Sequence, residues 1–124
     1  MRKFFLVCSI ITILIIASEI FVQKKIFKNF DYMIGVLNEI DENQDSNYQL
    51  ENMEKMESFW NSKYLLMAFY VDHVELEKIK NQIVVIKAGI EKEDDAFVHE
   101  EIKRTIFIIE HIKDKIVIKL ENIL

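Results

Sequence analysis

The stretch IFKNFDYMIGVLNEI, Ile26 to Ile40, places Ile26, Phe30, Met33, Leu37 and Ile40 at steps of four, three, four and three. Residues spaced in this way share one face of a helix, because 3.6 residues complete a turn. The stretch directly follows a far more apolar one. Its reading therefore decides whether the chain carries a membrane helix with a loose tail or a membrane helix that continues outward as a stalk. The spacing predicts the stalk.

Two further seams repeat the pattern downstream. Leu66, Phe69, His73, Leu76, Ile79, Ile83, Ile86 and Ile90 form one, preceded by Met53, Met56, Phe59 and Trp60 on a less regular stripe. Val98, Ile102, Thr105, Ile109, Ile112, Ile116, Leu120 and Ile123 form the other. The faces opposite carry mixed charge, as in Glu75, Glu77, Lys78 and Lys80 or Lys113, Asp114, Lys115 and Lys119, the pattern of solvated helix surfaces. Proline is absent and glycine occurs only at Gly35 and Gly89, so the chain lacks the punctuation that hairpins and long loops require. The β-branched run from Ile116 to Leu120 could make a short strand, but nothing else supplies a partner for it.

The expected fold is all-α: an N-terminal transmembrane helix continuing into a three-helix antiparallel bundle, with a coiled-coil-like hairpin. Its helices would span about 24–40, 47–88 and 94–122. Gly89 would end the second helix, and Asp94 or Asp95 would cap the third by accepting from its free N–H groups. Short connections make the neighbours antiparallel. The spacing leaves open a break in the second helix near Asp72. Two parts follow, a membrane anchor over 1–23 and a helical domain over 24–124.

The anchor is FFLVCSIITILIIASEIFV, Phe4 to Val22, preceded by Arg2 and Lys3. A helix of that length rises about 28 Å, close to the hydrocarbon thickness of a bilayer, so it would contact lipid throughout. A cleaved signal peptide begins similarly but needs small residues before the cut. Ala17 and Ser18 follow Ile15 and Ile16, so an uncleaved signal-anchor fits better. Lys24, Lys25 and Lys28 nearly balance Arg2 and Lys3, but a short basic leader favours a cytoplasmic N-terminus. The expected location is the cell membrane, single-pass, with the C-terminal domain extracytoplasmic. Glu19 is expected to reach the interface or meet Lys24 or Lys25.

Between the first two helices lies DENQDSN, Asp41 to Asn47, where Asp41, Asn43 and Asp45 alternate like the first ligands of a calcium loop. Such a loop needs glycine at its sixth position and a bidentate glutamate at its twelfth. Ser46 and Asn52 stand there instead, which leaves Asp41, Asn43 and Asp45 as weak metal candidates. A capping box is the better account, with Ser46 accepting from the N–H of Gln49 and the Gln49 side chain reaching back.

Chemistry is otherwise sparse. Of the three histidines, His73 has Glu77 one turn on, His99 has Asp95 one turn back and His111 has Lys115; no pair brackets a glutamate as in a zinc hydrolase helix. His73 lies on the apolar seam near Trp60 and Tyr70. No serine sits in a glycine-flanked elbow. Beyond Val22, fourteen Lys or Arg face twenty Asp or Glu with no basic stripe, which disfavours nucleic acid. The lone Cys8 excludes an internal disulfide. Trp60, Phe69, Tyr70 and His73 are the candidates for core or interaction positions, and any exposed aromatic would mark a partner surface. No cofactor and no enzymatic activity are expected.

Trp60, the segment His73-Val-Glu75-Leu-Glu77-Lys-Ile79 and the ending Leu120-Glu-Asn-Ile-Leu124 together resemble a family of short clostridial and related Firmicutes proteins, domain of unknown function 4363. That resemblance implies one N-terminal hydrophobic helix and a helical body, and it supplies no catalytic residues. Members are often encoded beside another integral membrane family, which implies a membrane-protein partner. The leading expectation is a protein-protein interaction or accessory module for another membrane protein, or one that self-associates. A sensor binding a small ligand or cation through the acidic loop or His73 comes second.

Overall fold

The structure is a computed structural model that describes Met1 to Ile123, with side chains as far as Ile118. The seam positions Leu120 and Ile123 and the ending Leu120–Leu124 therefore lie outside the described side chains. The described residues form four helices: α1 (Arg2–Glu42), α2 (Ser46–Ala68), α3 (His73–Glu91) and α4 (Asp95–Ile123). The described residues form no strand, and Ile116 lies within α4. Each helix packs on its sequence neighbours and α4 closes back onto α1, while among the described residues the backbones of the diagonal pairs stay farther apart. Connections of three or four residues force this up-down-up-down course.

The stalk seam is fully realised. Ile26, Phe30, Met33, Leu37 and Ile40 are all buried on α1. Opposite them lie Met53, Met56, Trp60 and Met67 of α2, Leu76, Ile79, Ile83, Ile86 and Ile90 of α3, and Val98, Ile102, Ile109, Ile112 and Ile116 of α4. Burying one such aliphatic side chain contributes about 1.5–3 kcal/mol, so this seam, rather than intrinsic propensity, holds the isoleucine-rich helices together. The three methionines of α2 fill irregular space beside Trp60 because an unbranched thioether adapts its shape.

The expected second helix, 47–88, is two helices. Phe69 to Asp72 break it: the N–H groups of Tyr70 and Val71 both donate to the Met67 carbonyl, and the Asp72 carbonyl accepts from Glu75 and Leu76 to start α3. The body is therefore a four-helix bundle in which the stalk is one member. The break also changes which residues face inward. Met67 and Val71 are buried, whereas Phe69, placed on the seam by its spacing, is 83% exposed.

The α3–α4 turn departs from the expected stop at Gly89. Helix α3 runs on to Glu91, and Glu93 takes the left-handed conformation at φ 54°. Its N–H donates to the Ile90 carbonyl at 3.0 Å and that of Asp94 to the Gly89 carbonyl at 3.1 Å, the paired bonds of a Schellman motif. Asp94 then caps α4 as expected, its carboxylate accepting from the Phe97 N–H at 3.2 Å. Gly89 serves close approach instead: a Cβ there would lie 2.8 Å from Phe97 Cδ1 and 3.0 Å from Val98 Cγ2.

At the other extreme, α1 begins far outside the bundle. Its first part is long and apolar enough to cross a membrane and none of it is buried in the protein. Phe4, Phe5, Leu6, Ile13 and Leu14 are all exposed. A soluble core helix would hide such side chains; this one presents them outward, as an anchor or a signal sequence does.

Candidate functional site

The acidic turn and one of the three histidines, His99, come together at the end of the bundle farthest from the apolar segment. Asp41, in the last turn of α1, meets His99 in the first turns of α4, with Nδ1 of the imidazole 2.6 and 2.8 Å from the two carboxylate oxygens. His99 thus pairs across the bundle and not with Asp95, as its local spacing suggested. Asn43 and Asp45 do different work. The Asn43 side-chain oxygen accepts from the Asp45 N–H at 3.0 Å, and the Asp45 carboxylate accepts from the Asn47 N–H at 3.1 Å. Asp41, Asn43 and Asp45 therefore do not converge, and the described residues hold no cluster of three or more His, Cys, Asp or Glu side chains arranged to grip a metal.

Those bonds also revise the capping box. Asp45, not Ser46, is the N-cap of α2. Gln49 does reach back, but past Ser46: its side-chain amide donates to the Ile40 carbonyl at 2.9 Å. At 4% exposure it satisfies one of the orphan carbonyls that end α1. Beside it, Asp41, Gln44, Asp95, Val98 and His99 line an open cleft of about 250 Å³. An exposed imidazole hydrogen-bonded to a carboxylate can exchange protons or hold a small polar ligand there.

At the opposite end, near the α2–α3 turn, His73 is exposed rather than set into the seam. Its Nδ1 is 3.2 Å from the Tyr64 hydroxyl, and its Nε2 is 3.7 Å from Glu77, the partner expected from spacing. Trp60 alone of the four singled-out positions is core, 1% exposed and edge-on to Tyr64. Tyr70 is half-buried beside Val71. The phase change at the break explains why Phe69 and His73 turn outward together.

Two buried polar groups escaped the spacing argument. Glu75, expected on the solvated face, is 8% exposed and receives Lys115 Nζ at 3.0 Å across the α3–α4 interface. That hydrogen bond, aided by the charges of Lys115 and Lys78, holds its carboxyl below the usual carboxylate range against the opposing effect of burial. Two turns further along, Gln82 donates to Glu101 Oε2 at 2.9 Å and to Thr105 Oγ1 at 3.1 Å, while the Thr105 hydroxyl donates to the Glu101 carbonyl at 2.8 Å. On the outer face of α4, Phe107 is 72% exposed and its ring stacks parallel to that of His111, 6.4 Å away. His111 thus meets Phe107 rather than Lys115.

An all-α bundle of four helices, the first of which begins as a long apolar segment, is the class these features define. More particularly, the family model described as "Domain of unknown function (DUF4363)" matches residues 20–123, and the chain belongs to that family. No curated protein and no solved structure matches the chain.

Proposed function

We propose that the protein is a single-pass membrane protein whose helical body, on the extracytoplasmic side, is a non-enzymatic interaction module for another membrane protein. The observation that supports this most directly is Phe107, an aromatic ring left 72% exposed on the outer face of α4. Arg104 and His111, one turn to either side, give that surface an aromatic centre with a polar rim, the composition of protein interfaces. The uncleaved anchor is supported by the continuity of α1 from Arg2 to Glu42, since the apolar segment and the first bundle helix are one rod.

A photo-cross-linking side chain in place of Phe107, activated in native membranes, is expected to yield a discrete adduct identifiable by mass spectrometry. Recovery of the monomer alone would overturn the interaction reading, and an adduct of twice the chain mass would assign the partner as a second copy. For topology, Asn81→Cys in a Cys8→Ser background should react with a membrane-impermeant maleimide on intact cells. Reaction only after permeabilisation would reverse the orientation. A sensor of small ligands or cations is the second reading, supported by the Asp41–His99 cleft. It requires a shift in melting temperature on titration with calcium or another candidate ligand.

A further inference from the structure

The helix registers bring a second set of exposed apolar side chains to the level at which the apolar segment ends. Tyr32 and Phe59 pack with their rings tilted by 46° and their centroids 4.5 Å apart, and they fix the pairing of α1 with α2. Ten residues along α2 from Phe59 lead to Phe69, and ten residues back along α1 from Tyr32 lead to Val22, each a rise of about 15 Å. Likewise Lys113 Nζ lies 5.8 Å from the ring centre of Phe27. Five residues on from Lys113 is Ile118, and five back from Phe27 is again Val22. The Glu75–Lys115 contact carries Val74 to the same level. Leu65, Phe69, Val74, Val117 and Ile118, from three helices, are all exposed and all lie within about a turn or so of Val22.

We infer that this end of the bundle seats on the bilayer surface, so that the body lies against the lipid instead of standing clear of it on the stalk. The occupant of the apolar patch is the boundary between acyl chains and headgroups. Three observations converge on lipid. The patch is continuous with the end of the segment long enough to span. It lies at the end of the bundle from which the apolar segment leaves, so the anchor itself holds it near the membrane. Lys24, Lys25 and Lys28, exposed on α1 beside Val22, supply the cations that anionic headgroups attract. Asp72 and Glu77 share this end, and keeping them hydrated limits penetration to the tips of the apolar side chains. The inference rests on the membrane-anchored reading above.

The test uses the full chain, in a Cys8→Ser background, reconstituted in vesicles of phosphatidylcholine and phosphatidylglycerol. Nitroxide labels are attached through Phe69→Cys, Ile118→Cys, Gln44→Cys and Leu14→Cys, all at exposed positions. The ratio of collisions with oxygen, which concentrates in lipid, to those with a water-soluble nickel chelate is then read by electron paramagnetic resonance. Seating gives a ratio at Phe69→Cys and Ile118→Cys several-fold above that at Gln44→Cys, and highest at Leu14→Cys. A high ratio at Leu14→Cys with Phe69→Cys and Ile118→Cys no different from Gln44→Cys overturns the seating and leaves the anchor intact. A low ratio at Leu14→Cys overturns both.

Discussion

Gln49 donates its buried side-chain amide to the carbonyl of Ile40 nine residues earlier, tying the end of α1 to the first turn of α2. The bond closes a tight turn whose own residues, Asn43 to Asp45, are exposed. Removing one partner of a buried hydrogen bond leaves the other unsatisfied, at a cost of about 1–3 kcal/mol. Gln49→Leu, of similar size, is expected to lower the melting temperature of the detergent-solubilised protein, followed by circular dichroism, by roughly 5–15 °C. A shift within a degree would mean that water replaces the bond.

Trp60 and Phe69 give opposite expectations although sequence spacing treated them alike. Trp60→Ala opens a cavity among Met56, Tyr64 and the facing helices and should cost about 3–5 kcal/mol. Phe69→Ala, at the exposed α2–α3 turn, should stay within about 0.5 kcal/mol in detergent. Comparable losses for the two would place Phe69 in the core after all.

Glu75 makes stability depend on pH. Its carboxyl titrates lower in the folded protein than in the unfolded chain, so its contribution is complete above about pH 4.3 and disappears as pH falls through the folded value. Glu75→Gln should therefore be less stable than the parent at neutral pH, and the gap should narrow on acidification below about pH 4.3. Melting curves of both proteins across that range check the sign; a gap that widens toward acid contradicts the Lys115 pairing.

Glu93 occupies a conformation that glycine adopts without a Cβ penalty. Glu93→Gly is expected to stabilise the fold by about 0.5–1 kcal/mol, since relief of the left-handed strain outweighs the added freedom of the unfolded chain. A lower melting temperature would show that the carboxylate itself contributes to the turn.

The all-α class, the seam from Ile26 to Ile40 and that from Val98 to Ile116 were readable in the sequence because no competing residue disturbs their phase. Between Leu66 and His73 the signal is ambiguous. Leu66, Met67, Phe69 and Val71 are all apolar, so both a continuous helix and a broken one find hydrophobic residues to bury. No proline or glycine marks the break, and Asp72 starts α3 through its carbonyl without a side-chain cap. The capping box failed for a similar reason: Asp45 and Ser46 are both good caps, and only the course of the turn chooses between them. Glu75 and the Asp41–His99 pair were hidden because their partners come from distant segments. Local charge patterns can reveal Glu77 beside His73, one turn apart, but not Lys115 against Glu75.

The unbroken course of α1 fixes the azimuth of the segment outside the bundle. Without proline to kink the rod, the face occupied by Ile26 and Phe30 continues backward in register through Gln23, Glu19, Thr12 and Cys8, all within about 60° of one line. Glu19 is already partly covered, and the exposed Thr12 hydroxyl donates back along the helix to the Cys8 carbonyl at 2.8 Å. Cys8, Thr12 and Glu19 thus lie on the side of α1 on which the other three helices stand, so the orientation of the apolar segment about its own axis is set by the packing of the bundle.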